Sequence, residues 1–228
     1  MYNDEACREM METIRKLTRN KTLLQIWTWA KSDFDHADLI LRFVDPQREA
    51  ETVLDLGCGT GQFLYTVACR RKYKRCIGLN LFQSQLNMAV NTTGLELYQQ
   101  DITQPFHYDD VDLAFLNHVS GHLHDEAILD LLQRLAKMGV KKLAMWDIFP
   151  TDITANEVFG YTLRSPLHWR RLIHNAGWYV DKWNIPPDAE LSENFKLSVS
   201  AEDVITAQRL THPMLVVVKP RENKEESN

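Results

Sequence analysis

The sequence predicts an α/β protein with a largely parallel sheet and helices on both faces, and three observations predict it. Short apolar runs alternate with helical patterns from Thr52 to Lys219, an order that implies strands joined by right-handed helical crossovers. The run Val53-Leu54-Asp55-Leu56-Gly57-Cys58-Gly59-Thr60-Gly61 links the first apolar segment to the first helix of that series through three glycines at every second position. The chain has 228 residues, 44% of them hydrophobic, enough for one full core.

Each element has its own signal. Glu5–Lys16, Lys21–Ala30 and Asp35–Val44 read as helices, the last through Ala37, Leu39, Ile40, Leu41, Phe43 and Val44. Thr52–Leu56 is the first strand and Gln62–Arg70 its helix. Arg75–Asn80 and Gln83–Asn91 form the second strand and helix, and Leu95–Gln100 the third strand. Val111–Asn117 is the fourth strand, followed by a helix over Asp125–Lys137, and Lys142–Ile148 is the fifth. A helix over Leu167–Ala176 stops at Gly177. Trp178–Ile185 is the sixth strand and Met214–Lys219 the last. Pro186–Pro213 shows no readable pattern and is expected either to cap the site or to mediate self-association as a homodimer. The charged tail 221–228 is expected to be disordered.

Composition narrows the function. The net charge of −5 argues against nonspecific nucleic-acid binding, which normally shows a basic face. One basic stretch, Arg70-Arg71-Lys72-Tyr73-Lys74-Arg75, falls on the turn between the first helix and second strand and reads as a solvated surface turn. No run of 18 apolar residues occurs, so no membrane span is expected. The N-terminal stretch is charged and lacks a signal-type apolar segment, and the expected location is the cytoplasm. The four cysteines, Cys7, Cys58, Cys69 and Cys76, form no C-x-x-C pair, so no zinc site is expected, and a reducing compartment fits them.

The glycine spacing is G-x-G-x-G. It differs from the G-x-G-x-x-G of dinucleotide sites, and no lysine follows as in a triphosphate loop. An acidic residue at the loop's approach suits a cationic group. With the preceding strand, these residues resemble the first motif of the class I S-adenosylmethionine-dependent methyltransferases. The resemblance covers roughly residues 35–185. It implies a seven-stranded Rossmann-like sheet of order 3-2-1-4-5-7-6 with the last strand antiparallel. It also implies a single domain over residues 1–220, with 1–45 as a helical lid, and S-adenosylmethionine as cofactor.

The resemblance also assigns residues. Asp55 would help hold the methionyl ammonium, while Gly57, Gly59 and Gly61 let the main chain line the ligand. Cys58 is read as a small residue that fits the loop. The stretch Ile77-Gly78-Leu79-Asn80-Leu81-Phe82-Gln83-Ser84-Gln85 is similar to the G-x-T-L-S-x-x-Q of a subgroup that includes cyclopropane and mycolic acid synthases and prenyl-diphosphate, tocopherol and sterol C-methyltransferases. It gives Asn80 and Gln85 the ribose, with Leu81 between them. Asn80 stands where many members carry an acid, and a carboxylate there would be the stronger acceptor. Asp101 would accept the adenine amino group and Ile102 pack on the ring. Trp29, on the N-terminal segment, and Asn117, at the end of the fourth strand, complete the cofactor set.

In the same subgroup a glutamate often precedes a histidine by four residues, with an aspartate three further on. The spacing here reads His118, His122, Asp125. His118 is either a general base, as a neutral imidazole permits, or a wall of the pocket. His122 is the second catalytic candidate, and Asp125 reads as a helix N-cap. Arg164, Arg170 and Arg171 are either anion ligands or surface charges. No H-E-x-x-H occurs, so no metal is expected. The strand-four sequence lacks the N-P-P-Y type signature of amino-methylating DNA enzymes, and no cysteine follows residue 76 to serve as a cytosine-C5 nucleophile. The leading expectation is direct methyl transfer to a carbon or nitrogen of a small molecule. The alternatives are a nucleic-acid base methyltransferase and a noncatalytic or rearranging S-adenosylmethionine-binding protein.

Overall fold

The computed structural model describes residues 40–87, 94–149, 156–158, 161–164, 166–183 and 212–221. The chain divides into two compact units, Met1–Phe106 and His107–Asn228.

The first unit is built on β1 (Thr52–Leu56), β2 (Arg75–Asn80) and β3 (Glu96–Gln99), joined by helices α1 (Gln62–Arg71) and α2 (Gln83–Leu86). All five residues of β1 are buried, which explains its near-continuous apolar run; a strand covered on both faces has no polar alternation. β1 and β2 run parallel with Asp55 opposite Gly78, and β2 and β3 run parallel with Gly78 opposite Leu97. Leu64 and Val67 of α1, with Ile40, Leu41 and Val44 of a helical segment over residues 40–44, are buried in this unit's core.

The second unit holds β4 (Leu113–Asn117), helix α3 (Asp125–Lys137), β5 (Lys142–Phe149), a hairpin of β6 (Asn156–Val158) and β7 (Tyr161–Leu163), helix α4 (Pro166–Asn175), β8 (Trp178–Trp183) and β9 (His212–Pro220). Helix α3 buries Ile128, Leu131, Leu132 and Leu135, the i, i+3, i+4, i+7 stripe of an amphipathic helix. The fully buried Trp178 anchors β8 by donating its indole N–H to the Leu132 carbonyl at 2.8 Å. β4 and β5 are parallel, while β9 pairs antiparallel with both β5 and β8.

Strand order in the large sheet is β3-β2-β1-β4-β5-β9-β8. Counted among its own strands this is the 3-2-1-4-5-7-6 of a Rossmann-like methyltransferase sheet. The β6–β7 hairpin forms a separate two-stranded sheet that the sequence does not announce, since its strands are only three residues each. Pro166 enters α4 as its first residue, where its missing N–H costs nothing. Among the described residues no helix is long and apolar enough to cross a membrane. The expected helices before residue 40, the stretch 184–211 and the tail beyond 221 lie outside the described residues.

Candidate cofactor site

The glycine loop is set down on the end of β2. The N–H groups of Gly57 and Cys58 both donate to the Leu79 carbonyl, at 2.8 and 2.9 Å, and Gly61 N–H donates to Cys58 O at 2.8 Å. This seating requires Gly78. A Cβ there would lie 2.8 Å from Cys58 Sγ and 2.7 Å from Leu97 Cδ2, closer than such atoms approach. Burial, and then the neighbouring Asp55 charge, push the Cys58 thiol far above its ordinary range, so it is inert packing rather than a nucleophile. Gly59 adopts φ +57° and a Cβ on it would meet nothing within 4 Å. The loop therefore presents bare main chain to an open space.

Asp55 is 3% exposed and has no ion-pair or hydrogen-bond partner among the described residues. Burial pushes its carboxyl up to about 7. Such a group is stable in its charged form only when a cation or donors arrive to replace the lost water.

Asn80 is buried and committed to the loop. Its Oδ1 accepts the Gly59 N–H at 3.2 Å, and its Nδ2 donates to Phe82 O at 3.0 Å and to Gln85 Oε1 at 2.9 Å. The Gly59 donor and the Phe82 acceptor together fix the amide orientation. Because Asn80 gives two hydrogen bonds, a carboxylate here would lose the donors to Phe82 O and Gln85 Oε1. Gln85 turns its Oε1 to Asn80, which leaves its Nε2 donors pointing elsewhere. Leu81, in contrast, is 45% exposed. Asp101 uses Oδ1 to accept the Thr103 N–H (2.8 Å) and hydroxyl (2.7 Å), the bonds of a turn-forming aspartate, and Ile102 beside it is buried.

In the second unit the carboxyl end of β4 carries the remaining candidates. Asn117 has its amide nitrogen and oxygen both buried, with no hydrogen-bond partner among the described residues. His118 is exposed and takes φ +53°, while its N–H donates to Trp146 O at 2.8 Å. A left-handed conformation at a non-glycine residue stores strain of about 1–2 kcal/mol. His122 ends a short 3-10 turn, Ser120–His122, and is also exposed.

Below that turn lies a network the sequence did not reveal. Arg164 is 1% exposed. Its Nε donates to Asp125 Oδ1 at 2.6 Å, Nη1 to the carbonyls of Ser120 (2.9 Å) and Thr162 (3.4 Å), and Nη2 to that of Leu123. The guanidinium also stands 5.4 Å from the Trp169 ring centroid, within cation–π range. His168 Nε2 meets Asp125 Oδ2 at 2.5 Å. Two expectations are corrected here. Arg164 is no anion ligand, because its donors are spent on the chain itself. Asp125 is not the N-cap but the first residue of α3, after His124, which caps without a side-chain bond. Trp29 lies outside the described residues.

Residues 54–141 match the model of a methyltransferase domain. No curated protein sequence matches the chain. Among solved structures it resembles the mitomycin 7-O-methyltransferase MmcR, with TM-score 0.59 and 16% identity over 83% of this chain and 54% of that one. It therefore spans about half the length of that enzyme. It also resembles the methyltransferase held by the Trm112 activator of Haloferax volcanii, with TM-score 0.60, 18% identity and coverage of 86% and 96%. A third likeness is to an O-methyltransferase of a Brevibacillus brevis trans-AT polyketide synthase, solved with S-adenosyl-L-homocysteine, with TM-score 0.60, 13% identity and coverage of 96% and 80%. At these identities the likeness is one of fold. Residues 54–141 thus match a methyltransferase domain, and the strand order of the sheet is the one such domains share.

Proposed function

We propose that this chain, an S-adenosylmethionine-dependent methyltransferase, transfers a methyl group directly to a small-molecule acceptor. The observation that carries the reading is Asp55, a buried carboxylate without a partner among the described residues, beside a glycine loop whose Gly59 faces open space. That pairing fits a cationic ligand with an ammonium group lying along bare main chain. When bound, S-adenosylmethionine supplies an electrophilic methyl that an acceptor lone pair displaces in line from sulfur.

The chain's own residues bind, orient and take up a proton. Asp55 ionises on receiving the ammonium. Asn80 holds the loop, and Gln85, oriented by its bond to Asn80, offers Nε2 to the ribose, in keeping with the likeness of Ile77–Gln85 to the cyclopropane-synthase subgroup. Asp101 keeps Oδ2 for the adenine amino group, with Ile102 against the ring. The unsatisfied amide of Asn117 joins the cofactor set. His118 takes the proton from the acceptor, which is an oxygen, nitrogen or activated carbon acid; His122 is its reserve.

Titration calorimetry with S-adenosylhomocysteine tests the cofactor. Wild type binds, and Gly59→Val does not, since its side chain fills the open space. Gly139→Val is the control: Gly139 has φ +80° and an equally open Cβ position, so it carries like backbone strain at a position outside the glycine loop and keeps binding. Equal binding by wild type and Gly59→Val overturns the reading. Release of S-adenosylhomocysteine in the presence of an acceptor panel then separates an enzyme from a binder. With an acceptor found, His118→Gln lowers turnover roughly 10²–10⁴-fold with cofactor affinity intact.

A further inference from the structure

The amino-terminal end of the first unit's strands carries a second concave feature, away from the glycine loop. Arg42, Pro46, Arg48, Arg70 and Arg71 line a cleft of about 540 Å³, a size usual for small-molecule sites. Arg42 lies on the helical segment 40–44 and Arg48 in the loop after it, while Arg70 and Arg71 close the last turn of α1. The cleft and the glycine loop are separated by the length of β1, five residues, or about 15 Å.

Ordinary surface chemistry accounts for only part of this arrangement. Cations at the C-terminus of α1 complement its dipole, which explains Arg70 and Arg71. It does not explain Arg42 and Arg48, which come from another segment. Arg48 reaches its place through a left-handed backbone, φ +60°, held by its N–H to Asp45 O at 3.3 Å. Among the described residues Arg71 Nε is buried without a hydrogen-bond partner, and a guanidinium nitrogen can only donate.

Among the described residues, the acids near the cleft are hydrogen-bonded, ion-paired or exposed. Asp45 accepts the Glu49 N–H and the Tyr73 hydroxyl, Glu51 pairs with Lys74, and Glu96 takes Arg75 in a two-pronged pair; Glu49 is exposed. The other cations of the basic stretch, Lys74 and Arg75, are thereby paired, while Arg42, Arg48, Arg70 and Arg71 line the cleft.

We infer that this arginine cleft is a binding site for a compact, multiply charged phosphate anion, such as the diphosphate of a small phosphorylated metabolite, distinct from the glycine-loop site. Guanidinium groups from two directions offer paired donors to phosphate oxygens. A concave cluster around one volume suits a compact polyanion better than the extended backbone of a nucleic acid, which is tracked by a stripe of charge.

Inorganic pyrophosphate is the probe, titrated into the full chain by calorimetry at fixed ionic strength, with inorganic phosphate and a short single-stranded RNA in parallel. Pyrophosphate binds more tightly than phosphate, and bound pyrophosphate leaves S-adenosylhomocysteine able to bind. Arg48→Ala and Arg71→Ala each raise the pyrophosphate Kd at least tenfold. Arg48 is exposed, so its variant folds even if Arg71→Ala does not. Lys72→Asn, which keeps the left-handed backbone of Lys72 (φ 53°), changes Kd less than twofold. A Kd equally sensitive to Lys72→Asn and Arg48→Ala marks mere surface charge and overturns the site. So does competition between pyrophosphate and S-adenosylhomocysteine, which would place the anion at the glycine loop. RNA binding without pyrophosphate binding overturns the compact ligand.

Discussion

Asp55 in the first unit is a buried carboxylate and Asp125 in the second a half-buried one, and their surroundings differ in kind. Asp125 has Arg164 and His168 on its two oxygens. Burial alone would raise its carboxyl, but those hydrogen bonds and charges outweigh it and hold the group below the usual carboxylate range. Asp55 has neither, and burial pushes it up to about 7. A carboxylate supplied with partners holds the fold; a buried one left without them among the described residues fits the proposed ammonium site. The same contrast separates the arginines. Arg164 spends its donors on three carbonyls and a carboxylate, whereas Arg71 leaves Nε unmatched among the described residues, beside a cleft.

The largest effect should come from dismantling the satisfied network. Arg164→Ala leaves Asp125 with His168 alone and strands the carbonyls of Ser120, Thr162 and Leu123, and should cost about 3–5 kcal/mol in urea denaturation. Arg164→Lys should recover less than half, because an ammonium cannot span those acceptors. A loss below about 1 kcal/mol would mean that the network does not hold the turn after β4.

Next comes Asp55, with the opposite sign. Its folded pKa lies above the unfolded one, so the native state binds the extra proton. Stability of the ligand-free protein should therefore fall as pH rises from about 4 to 7, by up to an amount on the order of 4 kcal/mol. Asp55→Asn should flatten that profile, raise stability at pH 8 and weaken S-adenosylhomocysteine binding at least tenfold. Asp125→Asn should lower stability at the same pH, since a depressed pKa stabilises above the unfolded value. Ligand binding to wild type near pH 7 should release roughly half a proton, visible as a buffer-dependent heat; no such dependence would break the assignment of the ammonium to Asp55.

Asn80→Asp sharpens the comparison within the first unit. It removes the donors to Phe82 O and Gln85 Oε1, and should destabilise the protein by about 1–3 kcal/mol while loosening cofactor binding. Tighter binding with unchanged stability would show that the Asn80 donors are dispensable. The smallest effect is at His118. Its φ of +53° suits glycine, so His118→Gly should stabilise the fold by about 1 kcal/mol in thermal melts while abolishing any proton uptake by the ring. A loss of stability would mean that the imidazole contributes more to packing than the backbone costs.

Much of this was legible in the sequence. β1, β2 and α3 fall where the apolar periodicities put them, at Thr52–Leu56, Arg75–Asn80 and Asp125–Lys137, because alternation, helical stripes and glycine turns are local signals. The glycine loop and Asp55 were visible for the same reason: nine consecutive residues encode a buried strand, a turn and an acid. The charge state of Asp55, the donors of Asn80 and the role of Arg164 were decided only by the tertiary structure. Asn80 meets Gly59 across 21 residues, and Arg164 meets Asp125 and Ser120 across 39 and 44. Periodicity reports which face of an element is buried, but not which distant partner, or lack of one, waits there. Desolvation and hydrogen bonding act only after the chain has closed those distances, and they decide whether a buried charge serves the fold or awaits a ligand.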